Sequence, residues 1–166
     1  MLLQRDYFEL FNLEKTFKIN ISKLKPSYLA LLKQFHPDKF SNLSMQEKQL
    51  SVQISSYIND AYKTISDKIH RAEYLIKILH PESLSTAKPL QDPEFFGLQI
   101  QLREELELVS NIKQKEKLYN KITAIDHELS EEFNNSFQSN IEASNILLQK
   151  MKFIDKLKHQ VSDLEF

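Results

Sequence analysis

The chain has 166 residues, of which 41% are hydrophobic and 27% charged, and its formal net charge is −1. That length permits one large domain or two small ones, and the composition argues against global disorder. The near-zero charge argues against a protein that chiefly binds nucleic-acid phosphate, and the absence of cysteine excludes disulfides, thiolate metal sites and cysteine nucleophiles. One glycine, Gly97, makes Rossmann and P-loop phosphate cradles and tight hairpins improbable, because those need several. The remaining abundance of Leu, Lys, Glu, Gln and Ile predicts an all-α protein. No apolar run reaches the roughly 18 residues of a membrane span. The opening "MLLQRDYFELF" reads as mature sequence rather than a targeting segment, which favours a cytoplasmic location.

In chain order, Asp6 followed by Glu9 fits a capping box opening a short apolar helix with Tyr7, Phe8, Leu10 and Phe11. Ile21, Leu24, Tyr28, Leu31, Leu32 and Phe35 form a 3.6-residue stripe, with Asn20 as a plausible N-cap. Pro26 is awkward there: either the first turns are kinked or the regular helix starts near Pro26. Pro37 predicts the end of this helix, since it biases His36 away from helical geometry. Ser44 and Glu47 fit a second capping box, opening a helix whose apolar face is Leu50, Ile54, Tyr57, Ile58, Ala61, Tyr62 and Ile65. A shorter helical run continues through Ile69, Ala72, Leu75, Ile76 and Leu79. "HPESLSTAKPLQDP" (80–93) has three prolines and several Ser/Thr residues, and predicts a linker at 80–91 between domains at 1–79 and 92–166.

Helix restarts at "QDPEFF", with Asp92 as N-cap, Pro93 at N1 and Glu94 in the first turn. Its core stripe is Phe95, Leu98, Leu102, Leu106 and Val109. "SNIKQ" (110–114) predicts a break. Two further helices follow, with stripes Leu118, Ile122, Ile125, Leu129, Phe133, Phe137 and Leu147, Met151, Ile154, Leu157, Val161, Leu164. A three-helix antiparallel bundle is the expected way to bury these stripes.

"KQFHPDKF" (33–40) lies between the second and third helices. His36 and Asp38 are neighbours, but no nucleophile motif points to them, so the enzyme reading is weak. The five histidines show no metal-ligand spacing. Alone, the tripeptide reads best as a turn, with Pro37 as a stop and Asp38 as a solvated turn residue. Its context is a short helix, a lysine-bearing amphipathic helix, HPDK, a long helix containing "INDAYKTI" (58–65), and then "RAEYL" (71–75). This arrangement, over about residues 5–76, resembles a J-domain, the module that activates DnaK-type ATPase chaperones.

That resemblance implies a chaperone-docking site at His36, Pro37, Asp38 and Lys39, with Lys33 and Lys25 adding basic surface. Asp38 would accept charge-assisted hydrogen bonds from an arginine of the partner. For each lysine, a merely solvated helix face is an equal reading. Gln34 stands where general J-domains often carry another basic residue.

"RAEYLIKILH" (71–80), "DPEFFGLQIQLREELE" (92–107) and "KMKFIDKL" (150–157), in that order, are similar to the iron–sulfur cluster assembly co-chaperones of the HscB type. Helical phase independently places Phe96, Ile100, Glu104 and Leu108 on a ridge roughly opposite the core stripe, and offsets Phe153 by one residue from its own stripe. Apolar residues held out of a core suggest a partner site, although Phe96 could instead pack at a domain junction. The resemblance maps contacts with a U-type iron–sulfur scaffold protein onto Phe96, Gly97, Ile100, Gln101, Glu104, Leu108 and Phe153. Gly97 departs from the larger apolar residue expected there.

The expectation is therefore a non-enzymatic co-chaperone with no cofactor of its own, binding neither nucleic acid nor membrane. It would stimulate a DnaK/HscA-type ATPase and deliver the scaffold to it. A J-domain co-chaperone for a different client is the alternative.

Overall fold

The computed structural model describes residues 2–36, 44–82 and 89–166. Among them are seven α-helices and no strand: α1 (Tyr7–Leu10), α2 (Ile21–Phe35), α3 (Met45–Ser66), α4 (Lys68–Leu79), α5 (Pro93–Glu107), α6 (Ile112–Ser136) and α7 (Ile141–Ser162). Backbone packing divides the chain inside α4 into two compact units, Met1–Leu75 and Ile76–Phe166.

The first unit opens on the expected capping box. The Asp6 carboxylate accepts from the N–H groups of Phe8 (2.9 Å) and Glu9 (3.0 Å), and the Glu9 side chain accepts in return from the Asp6 N–H. Burial opposes ionisation of Asp6, but bonds from Lys15 and the Glu9 N–H outweigh it and hold the carboxyl below its ordinary range. Helix α1 is only four residues long, and its end is held by geometry rather than length. Asn12 adopts φ 53°, Asn12 N–H donates to Glu9 O (3.2 Å) and Leu13 N–H donates to Phe8 O (2.9 Å). These two bonds make a Schellman motif, and asparagine tolerates its left-handed position better than most residues.

Helix α2 starts at Ile21 with Asn20 as its cap and runs through Pro26. The helix therefore does not wait for Pro26 to begin. Proline simply leaves the Ser22 carbonyl without its usual i+4 donor. Helices α2 and α3 form an antiparallel hairpin. The Tyr28 hydroxyl donates to Asn59 (2.9 Å), the Tyr28 and Tyr62 rings stack with centroids 4.0 Å apart, and the Ser55 hydroxyl donates to the Phe35 carbonyl (2.9 Å). The last contact satisfies one of the carbonyls that a helix leaves open at its C-terminus. It also explains why Ser55 lies on the buried line of α3; Ser51, buried on the same line, donates to Lys48 O (2.8 Å) of its own helix, while Leu50, placed on the stripe by periodicity, is exposed. Ile21 is likewise exposed. A stripe read from sequence is uncertain by about one residue, or about 100° of helix.

Asp67 ends α3, and its side chain accepts from the His70 N–H (2.8 Å) in the first turn of α4. Arg71, buried in that turn, joins three parts of the unit. Its Nε donates to Phe17 O (2.8 Å), its Nη1 donates to Ile65 O (2.6 Å), and the guanidinium lies 5.5 Å from the Phe17 ring centroid. Burial pushes its pKa down to about 10, with the Asp67 charge opposing, so the side chain stays cationic at neutral pH. Around these anchors Phe8, Leu24, Ile58, Ala61, Ile65, Ala72 and Leu75 are fully buried. Tyr7 stacks on Tyr74 at 4.5 Å and donates its N–H to the Tyr74 hydroxyl (3.0 Å), and burial pushes the Tyr74 phenol up to about 12.

In the second unit, α6 and α7 run antiparallel along their length. Lys115 near the start of α6 donates to the carbonyls of Ser162 (2.8 Å), the last residue of α7, and Leu164 (2.6 Å) just past it, Asp126 pairs with Lys158 (3.3 Å), and Ser144 donates to Ser136 (3.1 Å). Their shared core holds Leu118, Ile122, Phe133, Met151, Ile154, Leu157 and Val161. Helix α5 lies alongside, parallel to α7, since Asp92 pairs with Lys150 (2.6 Å) at one end and Glu105 with Lys121 of α6 (2.6 Å) near the other. The break before α6 is shorter than expected: Asn111 caps a helix that starts at Ile112.

Arg71→Ala should lower the unfolding free energy by about 2–5 kcal/mol in urea titrations, because it orphans two buried carbonyls at roughly 1–3 kcal/mol each. Arg71→Lys should recover only part of that loss, since an ammonium lacks the fork that reaches both acceptors.

Candidate functional site

Two surfaces, one on each unit, carry the sequence-predicted residues. On α2, Lys25, Leu29, Lys33 and His36 recur at i, i+4, i+8 and i+11, which puts them on one line of the helix. All four are exposed, Leu29 by 53%, and α2 contains no acidic residue. His36 caps the C-terminus in an extended conformation (φ −62°, ψ 131°), as a residue before proline favours. Pro37, Asp38 and Lys39 lie outside the described residues. Leu29 was not singled out from sequence, although its i+4 spacing from both lysines is a readable signal.

On α5, Asp92 and Pro93 fix the start. The Asp92 carboxylate accepts from the Phe95 N–H (2.9 Å) and pairs with Lys150, and these bonds hold it below the usual carboxylate range. Phe95 and Leu102 are buried, which sets the helix's rotation. The opposite side then faces outward. Phe96 is 45% exposed, Ile100 60% and Leu108 75%, and Gly97, Gln101 and Glu104 are exposed with them. Gln101 Nε2 donates to Glu105 Oε1 (2.9 Å), which also receives Lys121, so this polar edge of the ridge is ordered.

Phe153 of α7 is brought to the flank of α5 rather than onto the crest of the ridge. Its half-buried ring meets Phe95 edge-on at 5.8 Å, and the Arg103 guanidinium lies 5.4 Å from its centroid. In helical phase Arg103 falls between Phe95 and the Phe96–Ile100 line, so Phe153 extends the apolar surface on the side of Phe96. The involvement of Arg103 was not legible in sequence, since it depends on how α7 meets α5.

Gly97 has no structural need to be glycine. It is helical, and an added Cβ would meet no atom within 4 Å beyond its own stretch of helix. It therefore carries the entropic cost of a mid-helix glycine and leaves a notch beside Phe96 and Ile100. Among the described residues there is no cluster of three His, Asp or Glu able to hold a metal ion, and no helix long and apolar enough to cross a membrane. The described residues of α2 and α5 offer exposed surfaces suited to docking.

Comparison with known proteins gives the family. Residues 91–162 match the family described as "HSCB C-terminal oligomerisation domain". A co-chaperone protein HscB homolog of Vibrio cholerae serotype O1 (strain M66-2) is 39% identical over 165 residues, covering 96% of each chain. The structure of chaperone HscB from Vibrio cholerae aligns with TM-score 0.82 and 34% identity over 95% of this chain and 96% of that one. Human co-chaperone HscB aligns with TM-score 0.87 and 27% identity over 96% of this chain and 81% of that one. These relatives place the chain among the co-chaperones, and HscB co-chaperones are non-enzymatic. The chain belongs to the HscB family, which acts in iron–sulfur cluster assembly.

Gly97→Ala should raise the unfolding free energy by about 0.5–1 kcal/mol, the helix-interior difference between the two residues. Chemical denaturation checks this. A pH effect follows from Glu105, whose pKa is lowered by the Lys121 hydrogen bond, against burial, with help from Gln101. A depressed carboxyl contributes stability that is complete above its unfolded pKa of about 4.3 and is lost as pH falls through the folded value. Between pH 5 and pH 3, by that linkage, the wild type should lose more stability in urea melts than Glu105→Gln, which has no such carboxyl.

Proposed function

We propose that the first unit acts as a J-domain, stimulating ATP hydrolysis by a DnaK/HscA-type chaperone. The second unit presents a U-type iron–sulfur scaffold protein to that chaperone. The observation that carries this reading is the ridge on α5: three large apolar side chains, 45–75% exposed, on a helix whose opposite side is buried. A bundle gains nothing from exposing them, whereas a partner with an apolar patch can bury them. The line Lys25–Leu29–Lys33–His36 supports the other half of the reading, as a basic surface with an apolar centre leading to the HPD sequence. No covalent step is required of the chain. Holding client and ATPase together raises their effective concentration, and contact by His36, Pro37, Asp38 and Lys39 biases the chaperone's conformational equilibrium.

The two surfaces should be separable. Asp38→Asn should reduce ATPase stimulation on the order of ten-fold or more, as loss of a charge-assisted hydrogen bond implies, and leave scaffold affinity unchanged. Ile100→Ala should do the reverse, weakening scaffold binding by about 1 kcal/mol or more in calorimetry without changing the fold. Phe153→Ala should weaken binding by about 1–3 kcal/mol, but also costs stability through its contact with Phe95, so Ile100 gives the cleaner result. Unchanged scaffold affinity in both the Ile100 and Phe153 variants would sink the delivery half of the proposal and point to another client.

A further inference from the structure

The α5 ridge does not run parallel to its helix axis. Each i, i+4 step turns about 40° around the helix, so the row from Phe96 through Ile100 and Glu104 to Leu108 winds through about 120°. It starts on the flank where α5 meets Phe153 of α7 and ends at Leu108, on the side of α6. There it reaches a cleft of about 340 Å³ between the end of α5 and the start of α6, ample for one side chain. Leu108, Val109 and the buried Leu118 make the apolar lining. Gln114, Lys117 and Lys121 of α6, with Glu105 of α5, make the polar lining, so two cations face one carboxylate. Lys121 donates to Glu105 Oε1 (2.6 Å). The exposed Lys117 acts on Glu105 through its charge, without an ion pair among the described residues. Lys113, one turn earlier on the same line of α6, adds an exposed cation just outside the lining. Gln114 Oε1 accepts from the Ser110 N–H (2.8 Å) and hydroxyl (3.0 Å), which leaves its amide N–H groups as donors.

Resting on the reading of the ridge as a scaffold surface, we propose that this cleft takes a carboxylate-bearing side chain of the same scaffold protein, with Lys117 as a specificity-determining residue. Leu108 belongs to both surfaces, so a partner segment lying along the ridge from Phe96 arrives at the cleft without leaving α5. The cleft's chemistry selects what can enter. Its excess positive charge repels Lys and Arg. An apolar side chain would cover Lys117 and Gln114 without giving either an acceptor, which costs free energy. A Glu or Asp side chain accepts from both donors, and its methylene carbons lie on the apolar lining. Glu104, one turn earlier on the ridge and outside the lining, carries the opposite charge. The two charges give the partner segment a direction, with a basic or donor group over Glu104 and the carboxylate beyond it toward α6. The apolar ridge supplies affinity, and the charged cleft at its end fixes register.

Calorimetric titration of the full chain with the U-type scaffold protein tests this, with Ile100→Ala as the reference variant. At about 50 mM NaCl, Lys117→Glu should weaken binding about five- to ten-fold and Lys117→Gln about two- to three-fold, with unchanged helical circular dichroism. Both deficits should shrink toward the wild-type affinity at about 0.5 M NaCl, because salt screens exposed charges. A set of single Asp→Lys and Glu→Lys variants of the scaffold should contain one that binds the wild type less tightly and restores binding to Lys117→Glu. If Ile100→Ala weakens binding while Lys117→Glu binds like the wild type at low salt, the cleft proposal is overturned and the ridge reading stands. If neither variant changes affinity, the ridge reading itself fails and the cleft proposal with it. A Lys117→Glu deficit that persists at high salt and that no scaffold reversal restores also overturns the proposal, since it marks a change in the bundle rather than a lost charge contact.

Discussion

The outward face of α5 depends on the rotation of that helix, and two ion pairs hold it. At one end Asp92 both caps the helix and meets Lys150 of α7; near the other, Glu105 meets Lys121 of α6. Phe95 and Leu102 fill the space between these clamps from the buried side. A slip of one residue would turn the helix by about 100°, carrying Phe95 toward solvent and part of the ridge toward the core. Apolar burial alone would tolerate that slip, because α5 has apolar residues on both sides. The charged pairs resist it, since neither can form after such a turn. The proposed scaffold surface is thus an outcome of where four charged side chains sit on three helices.

The first unit solves a related problem with hydrogen bonds. In its α2–α3 hairpin, α2 buries only Leu24 completely. Direction is supplied instead by Tyr28 against Asn59 and Tyr62, by Ser55 on the Phe35 carbonyl, and by Arg71 holding the carbonyls of Phe17 and Ile65. Ser55 matters to the proposed chaperone surface because it fixes the last carbonyl before His36, where the HPD sequence begins. A polar side chain on a buried line therefore ties the interior to the docking edge. The cost of burying Arg71 is offset by two hydrogen bonds and a ring face.

The helices were legible because their signals are local. Asp6, Asn20, Ser44 and Asp92 announced four N-termini before any packing was known, and each accepts the backbone bonds expected of a cap. Asn111 and Asn140 cap α6 and α7 by the same chemistry and carried a signal that went unused. The α5 ridge was readable for a similar reason: a residue's side of a helix follows from its number alone. Errors arose where a stripe met another element. Leu50 gives way to Ser51 and Ser55, and Asp126 lies deeper than Ile125, because the partner surface and not the period decides which neighbouring residue is covered.

By itself the sequence determined the all-α class, most helix starts, the HPD sequence between two helices and the apolar side of α5 that the core does not use. Each of these depends on interactions within a few residues, or on helical phase, and neither requires knowledge of distant contacts. Tertiary structure alone decided that Arg71 is buried against Phe17, that Phe153 stands on the flank of α5 between Phe95 and Arg103, and that Gly97 borders open space. It also decided which charges of α6 are used within the bundle and which are left exposed. Those outcomes join residues that are far apart in the chain, and only packing selects such partners from the many that composition permits.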